Sequence, residues 1–405
     1  MLKSITFYTL ISITSAFITF ITTVYLSRLL SPEEFAYIGL FGVVIYILNP
    51  ILSLNTVGLV GINIINLPQK QYFDFINRYI TFIIFISILI FMISVIVSIL
   101  LPTYQILLIL TFFVAIFMVF ITIHNVELIQ NKKIKLFGFY RVLMSILNLI
   151  SIFIFIQILD LSWKGRLFGI IITNILILLL MLRISFFSLK NYSFTIDYAS
   201  IKEYLHYGYP LLFGLGAAWL TTQLDKFIVL YFFELKDLGY YSLGYTIGIS
   251  FSIVNQSLVN AVTPRIYTIL KTGSGRSIID KYSLYYNISV SVLVFIGIVF
   301  MYFFGGIILS ESYSESLNII LLVMVAVAFD GMYRVYGLVI NYYKENKLKT
   351  KMEYLIVFIN IIFSMSLIPF LGLLAPAIGT IISYLLAFLI SKYFAKRLLL
   401  IRGVK

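Results

Sequence analysis

Stretches of about twenty apolar residues, separated by short polar gaps, repeat along the whole chain. Most are continuous rather than alternating, so they read as helices and not as the strands of a membrane barrel. A hydrocarbon core about 30 Å thick is crossed by about 20 helical residues rising about 1.5 Å each. By that measure the pattern predicts about twelve spans, near 5–27, 36–58, 79–101, 105–126, 141–159, 167–187, 208–232, 240–263, 284–307, 316–338, 353–371 and 376–395. The expected fold class is an all-α integral membrane protein.

Charge changes the picture by orienting these spans. Only 11% of the 405 residues are Asp, Glu, Lys or Arg, against about 25% in ordinary soluble domains. With both termini in the cytoplasm, 23 of the 29 Lys and Arg fall inside, in clusters such as Lys132, Lys133 and Lys135 or Lys344, Lys347, Lys349 and Lys351. Arg28, Lys164, Arg166 and Lys236 fall outside, and Lys226 and Arg334 fall within spans. Asp and Glu show no such bias, with 6 inside and 7 outside. Cations sorted and anions unsorted are the signature of the positive-inside rule. The formal net charge of +13 is therefore a topology signal, and no basic soluble domain exists to bind nucleic acid. The first apolar stretch is too long for a cleaved signal peptide and reads as the first span. With no Cys, and with His124 and His206 far apart, neither a thiolate nor a histidine metal centre is expected, and no cofactor site is legible.

The chain divides at its longest gap. Six spans lie over 1–190, a cytoplasmic linker over 191–207, and six more over 208–405. Glu34-Phe35-Ala36-Tyr37 opens span 2 as Asp237-Leu238-Gly239-Tyr240 opens span 8. Asn131-Lys132-Lys133-Ile134-Lys135 follows span 4 as Glu345-Asn346-Lys347-Leu348-Lys349 follows span 10. Gly169 and Gly379 begin similar runs in spans 6 and 12. Six is even, so two duplicated bundles would enter the membrane alike, related by an axis along its normal, with a cleft between them. Rocking one bundle against the other would open that cleft to alternate sides. Pro50 and Pro369, and the small residues Gly208, Gly214, Gly216, Ala217 and Ala218 of span 7, mark hinges or close helix packing.

Ionisable residues inside spans are the functional candidates, because exposing them to lipid is so unfavourable. Span 7 carries Thr221-Thr222-Gln223-Leu224-Asp225-Lys226. Asp225 and Lys226 are consecutive and so face apart; they either fix packing through an ion pair or contact substrate or an ion. In span 10, Asp330 and Arg334 share a face at i and i+4 and can neutralise each other, while the guanidinium still offers a fork suited to phosphate. His124 and Glu127 lie near the cytoplasmic end of span 4, and Arg28 at a span end. No zinc-protease, P-loop or nucleophile-elbow motif is present, so no enzymatic activity is expected.

Ser27-Arg28-Leu29-Leu30-Ser31-Pro32-Glu33-Glu34-Phe35-Ala36-Tyr37 resembles the turn after the first helix of the Wzx polysaccharide (O-antigen) flippases. So do Tyr207-Gly208-Tyr209-Pro210, Trp219, Asp225-Lys226 and Gly239-Tyr240-Tyr241-Ser242-Leu243. These flippases belong to the multidrug, oligosaccharidyl-lipid and polysaccharide exporter superfamily. The resemblance implies a carrier in the bacterial cytoplasmic membrane that moves a polyprenyl-pyrophosphate-linked oligosaccharide to the outer leaflet by alternating access. It implies membrane lipids and a lipid-linked oligosaccharide as partners, H+ or Na+ as candidate coupling ions, and a polysaccharide polymerase as a candidate neighbour. Lys226 and Arg334, with Arg28 behind them, would then meet the pyrophosphate. Asp225 and Asp330 would serve as coupling groups or ion-pair partners. A multidrug antiporter of the same superfamily is the alternative, although residues 5–27 hold no charge where such antiporters commonly carry an acid. A lipid II flippase fits as a near relative.

Overall fold

A computed structural model describes residues 2–183, 194–195, 197–272 and 276–401. Lys190, Arg402, Lys405 and residues 191–193 and 196 of the expected linker lie outside them, as do the surroundings of Gly214, Ala217 and Ala218. The described residues contain no strand. Among the described residues, eight stretches are long and apolar enough to cross a membrane by length and composition alone. Fourteen α-helices among the described residues make twelve passes, because two passes are broken.

The first broken pass is α2 (Pro32–Ser53) followed by α3 (Val57–Asn66). Pro50 is accommodated within α2, and the helix stops a turn later where Leu54 (φ 45°) and Asn55 (φ 51°) turn left-handed. The Asn55 N–H donates to the Pro50 carbonyl at 2.9 Å, closing the end in the manner of a Schellman cap. The second broken pass is α9 (Leu235–Ser250) and α10 (Ser252–Thr272), interrupted at Phe251. Both breaks fall in the second pass of their half of the chain.

The chain forms two compact units: Met1–Thr22 with Leu40–Gly216, and Thr23–Gly39 with Ala217–Lys405. The first contains α3, α4 (Gln69–Leu100), α5 (Gln105–Gln130), α6 (Ile134–Ile152) and α7 (Ser162–Leu182). It also takes the start of α8 (Tyr198–Phe232), a continuous helix that includes most of the expected linker. Its core is partly aromatic, with Phe75 stacked on Tyr79 at 5.8 Å and Tyr204 of α8 edge-on to Tyr79 at 5.5 Å. At the N-terminus of α8, Asp197 accepts from the Ala199 N–H (3.1 Å), the Ser200 hydroxyl (2.6 Å) and Arg78 (3.1 Å). The Ser200 hydroxyl above all, with the Ala199 amide and Arg78, holds this carboxyl below the usual aspartate range, against an opposing effect of partial desolvation.

The second unit is built on α12 (Ser316–Tyr342), which packs against α9, α10, α11 (Arg276–Ile308) and α14 (Ala375–Ile401); α13 (Asn346–Leu371) lies on α14. The turns singled out in the sequence have the same physical role in both halves. Ser31 with Glu34, and Glu234 with Asp237, form reciprocal capping boxes at the starts of α2 and α9. A Cβ on Gly169 would strike Ser151 of α6, and one on Gly379 would strike Ser364 of α13. The last helix of each half thus lies close against its predecessor through a glycine–serine contact. The basic loops also correspond, but the register read from sequence is corrected by two residues. Lys132 (φ 58°) and Lys344 (φ 59°) are the equivalent left-handed positions, each followed by an N–H bonded back to Leu128 or Ile340. Backbone conformation at the helix end fixes this register, and the run of lysines does not.

Candidate functional site

Asp225, on α8, is 2% exposed and is held by three other helices of the second unit. Its Oδ2 accepts from the Tyr241 hydroxyl of α9 at 2.8 Å and from the Thr380 hydroxyl of α14 at 2.7 Å. Asn360 of α13 donates to Thr380 Oγ1 at 2.9 Å, and the Ser364 hydroxyl donates to Asn360 Oδ1 at 3.3 Å. The Gly379–Ser364 approach brings α13 and α14 close enough for this relay. On the other side, Gly239 seats α9 against the carbonyl of Pro32, and Gly39 seats α2 against Ser242. Asp225 Oδ1 is buried and makes no hydrogen bond. A buried carboxylate with two hydroxyls on one oxygen and an amide beside them is an oxygen-rich set, suited to a proton or a hard monovalent cation. Among the described residues, no three His, Cys, Asp or Glu gather as a metal site.

Lys226 turns elsewhere, as consecutive helical residues must. It is 6% exposed, its Nζ donates to Gln223 Oε1 at 3.1 Å, and it lies 5.6 Å from the Tyr245 ring centroid. Tyr245 is stacked on Tyr241 at 6.2 Å, so one pair of rings on α9 serves both charges. Thr222, expected beside Lys226, reaches it through Gln223, whose amide donates to Thr222 Oγ1 at 3.4 Å.

Asp330 and Arg334 pair across one turn of α12, Nε to Oδ2 at 2.7 Å, with Asp330 buried and the guanidinium half-exposed. Beside them lies a cavity of about 250 Å³, lined also by Gln256, Asn341, Lys349 and Glu353. Sequence reasoning passed over these four. In the sequence Lys349 reads as a topology charge and a member of the repeated basic turn, and Gln256 and Asn341 carry no motif; their placement beside Arg334 is visible only in the packing. Tyr384 of α14 lies within electrostatic reach of Asp225, Tyr245, Asp330 and Arg334 alike, so the two clusters neighbour one another inside this unit. Arg28 is at a helix end: its Nη2 donates to the Ile307 carbonyl at 3.0 Å, near the C-terminus of α11, where cations are favoured.

A family model described as "Polysaccharide biosynthesis protein" matches residues 25–274. A curated relative, "Lsg locus putative protein 1" of Haemophilus influenzae (strain ATCC 51907 / DSM 11121 / KW20 / Rd), is 32% identical over 82 residues; the match spans 20% of each chain. The chain thus matches only about a fifth of that relative's length. Among solved structures, it resembles an inward-facing multidrug resistance MATE family transporter of the MOP superfamily, with a TM-score of 0.68, 15% identity, and 95% of each chain covered. It also resembles an outward-facing MATE transporter of that superfamily, with a TM-score of 0.61 and 15% identity over 98% of this chain and 96% of that one. At this identity the likeness establishes the fold alone: an all-helical architecture of about twelve passes.

Proposed function

The chain belongs to the family of polysaccharide biosynthesis proteins, and from that premise we propose that it is a flippase for polyprenyl-pyrophosphate-linked oligosaccharides. It would work in the bacterial cytoplasmic membrane, both ends of the chain on the cytoplasmic side, carrying sugars and pyrophosphate through protein while the polyprenyl tail stays in lipid. The observation that carries this reading is the cavity beside Arg334. Its guanidinium is aligned by Asp330 and keeps donors for a phosphate oxygen. Lys349 adds a second cation, and Gln256 and Asn341 supply donors and acceptors for sugar hydroxyls. Asp330 and Glu353 balance the two cations, so the lining side chains carry no net formal charge and can release as well as load the cargo.

Lys226, held on Gln223 with ammonium donors to spare, is the further cation we assign to the pyrophosphate. Arg28, bonded to the end of α11, anchors that helix in this proposal. Asp225, with one oxygen unbonded, is the proposed site of the coupling H+ or Na+, and no enzymatic step is invoked. The MATE fold also suits a multidrug antiporter, but residues 5–27 hold no acid.

Depletion should trap lipid-linked repeat units on the inner leaflet and abolish surface glycan. Lys226→Ala and Arg334→Ala should each reduce surface glycan while the protein stays in the membrane. Normal glycan with altered dye efflux would instead favour the antiporter, and loss of peptidoglycan precursors at the surface a lipid II flippase.

A further inference from the structure

The first unit holds a buried acid–base pair that the proposed cargo site does not use. On α5, His124 Nδ1 lies 3.1 Å from Glu127 Oε2, and these side chains are 4% and 3% exposed. The other carboxylate oxygen, Oε1, accepts from the Tyr72 hydroxyl of α4 at 2.7 Å. Tyr72 is itself buried in the aromatic cluster of Phe75, Tyr79 and Tyr204.

Among the described residues, no other charged side chain is bonded to this pair; on α8, Lys202, Glu203 and His206 are exposed. On α4, Lys70 and Asp74 are exposed and Arg78 is bonded to Asp197. On α6, Lys135 and Arg141 are exposed, and the Tyr140 hydroxyl donates to the Leu180 carbonyl. On α7, Arg183 is exposed at one end, while Lys164 and Arg166 stand at the other, Arg166 bonded to Asn148. α3 has no ionisable residue.

With Glu127 as a carboxylate, Oε1 accepts from Tyr72 and Oε2 is placed to accept from the Nδ1–H tautomer of His124. That bond survives whether the imidazole is neutral or carries a second proton on Nε2. One proton can therefore enter and leave the pair without rearranging it. With the proton bound, the pair has no net charge; without it, the pair holds a lone buried anion. A lone buried anion is more strongly disfavoured away from water than an ion pair that is neutral overall. Loading a proton thus favours conformations that keep the site closed, and losing it favours those that admit water, which is the differential a coupling ion must supply.

We propose that His124, Glu127 and Tyr72 form a proton-binding site through which this unit couples transport to a proton gradient. The inference rests on the reading of the chain as a transporter. It adds a site separate from Asp225, in the other unit.

The test has two independent parts. Only two histidines are present, so in His206→Gln protein a single labelled imidazole remains, and its NMR signal reports His124 directly in the purified chain. That signal should change with pH over the range in which transport changes; a signal constant throughout that range overturns the site, whatever the cargo. In proteoliposomes, Glu127→Gln should abolish gradient-driven accumulation of a labelled lipid-linked oligosaccharide yet retain exchange without a gradient. Tyr72→Phe, which keeps the ring packing, should displace the pH profile and leave the maximal rate. Unchanged gradient dependence in both variants overturns the inference. Absence of movement by the unmodified protein, with the imidazole still responding to pH, would fault the cargo reading instead.

Discussion

Removing the Tyr241 hydroxyl should weaken the second unit by an amount set by the charge on Asp225. Tyr241→Phe keeps the ring and its stacking on Tyr245 and deletes one of two hydroxyl donors to Oδ2. A hydrogen bond to a charged group is worth about 1.5–3 kcal/mol, whereas one between neutral groups is worth about 0.5–1.5 kcal/mol. Tyr241→Phe should therefore lower the folding constant about tenfold to a hundredfold. Thr380→Val should be more severe, because it also strips Asn360 Nδ2 of its acceptor, leaving a buried amide unsatisfied at about 1–3 kcal/mol. In an Asp225→Asn background the cost of Tyr241→Phe should fall toward the neutral range, giving a coupling of about 1–2 kcal/mol in a double-mutant cycle. The assay is denaturant unfolding in detergent followed by Trp219 fluorescence. Trp163 is the only other tryptophan and is replaced by Phe. An equal cost of Tyr241→Phe with Asp or Asn at 225 would refute the argument that a carboxylate organises these helices.

Two further outcomes test the packing and the charges. Gly239→Ala drives a methyl into the Pro32 carbonyl and should destabilise by about 1–3 kcal/mol, while Gly306→Ala, with nothing within 4 Å, should be neutral or stabilising by up to about 1 kcal/mol; comparable melting shifts would contradict this. Asp197 has its carboxyl held below the unfolded aspartate value, so its contribution is complete above about pH 4 and is lost as pH falls through the folded value. The stability difference between the unmodified protein and Asp197→Ala should accordingly be present at neutral pH and vanish in acid, and a difference that grew in acid would reverse the sign.

The passes were legible because membrane helices must be long and apolar, and the duplicated turns because capping boxes need particular side chains at fixed spacing. The break at Leu54–Thr56 was not. Leucine and asparagine give no reliable sign of left-handed backbone, and Pro50, the visible breaker, remains inside α2. At the site, Asp225, Lys226, Asp330 and Arg334 were conspicuous as charges in apolar runs, and the i, i+4 pairing of Asp330 with Arg334 followed from helix geometry alone. Their surroundings depend on contacts between helices far apart in sequence. Nothing in the chain near Asp225 announces Thr380, 155 positions on. Gly379 and Gly239, whose lack of a side chain permits those approaches, were visible only as members of repeats.

The most direct test of the central claim uses purified protein in liposomes loaded on one leaflet with a fluorescent polyprenyl-pyrophosphate oligosaccharide. Its appearance on the other leaflet is read by an impermeant glycosidase or quencher. The unmodified protein should move the lipid at a rate well above that of empty liposomes, and Arg334→Ala should not. Movement no faster than in empty liposomes, with the protein folded and correctly inserted, would contradict the account.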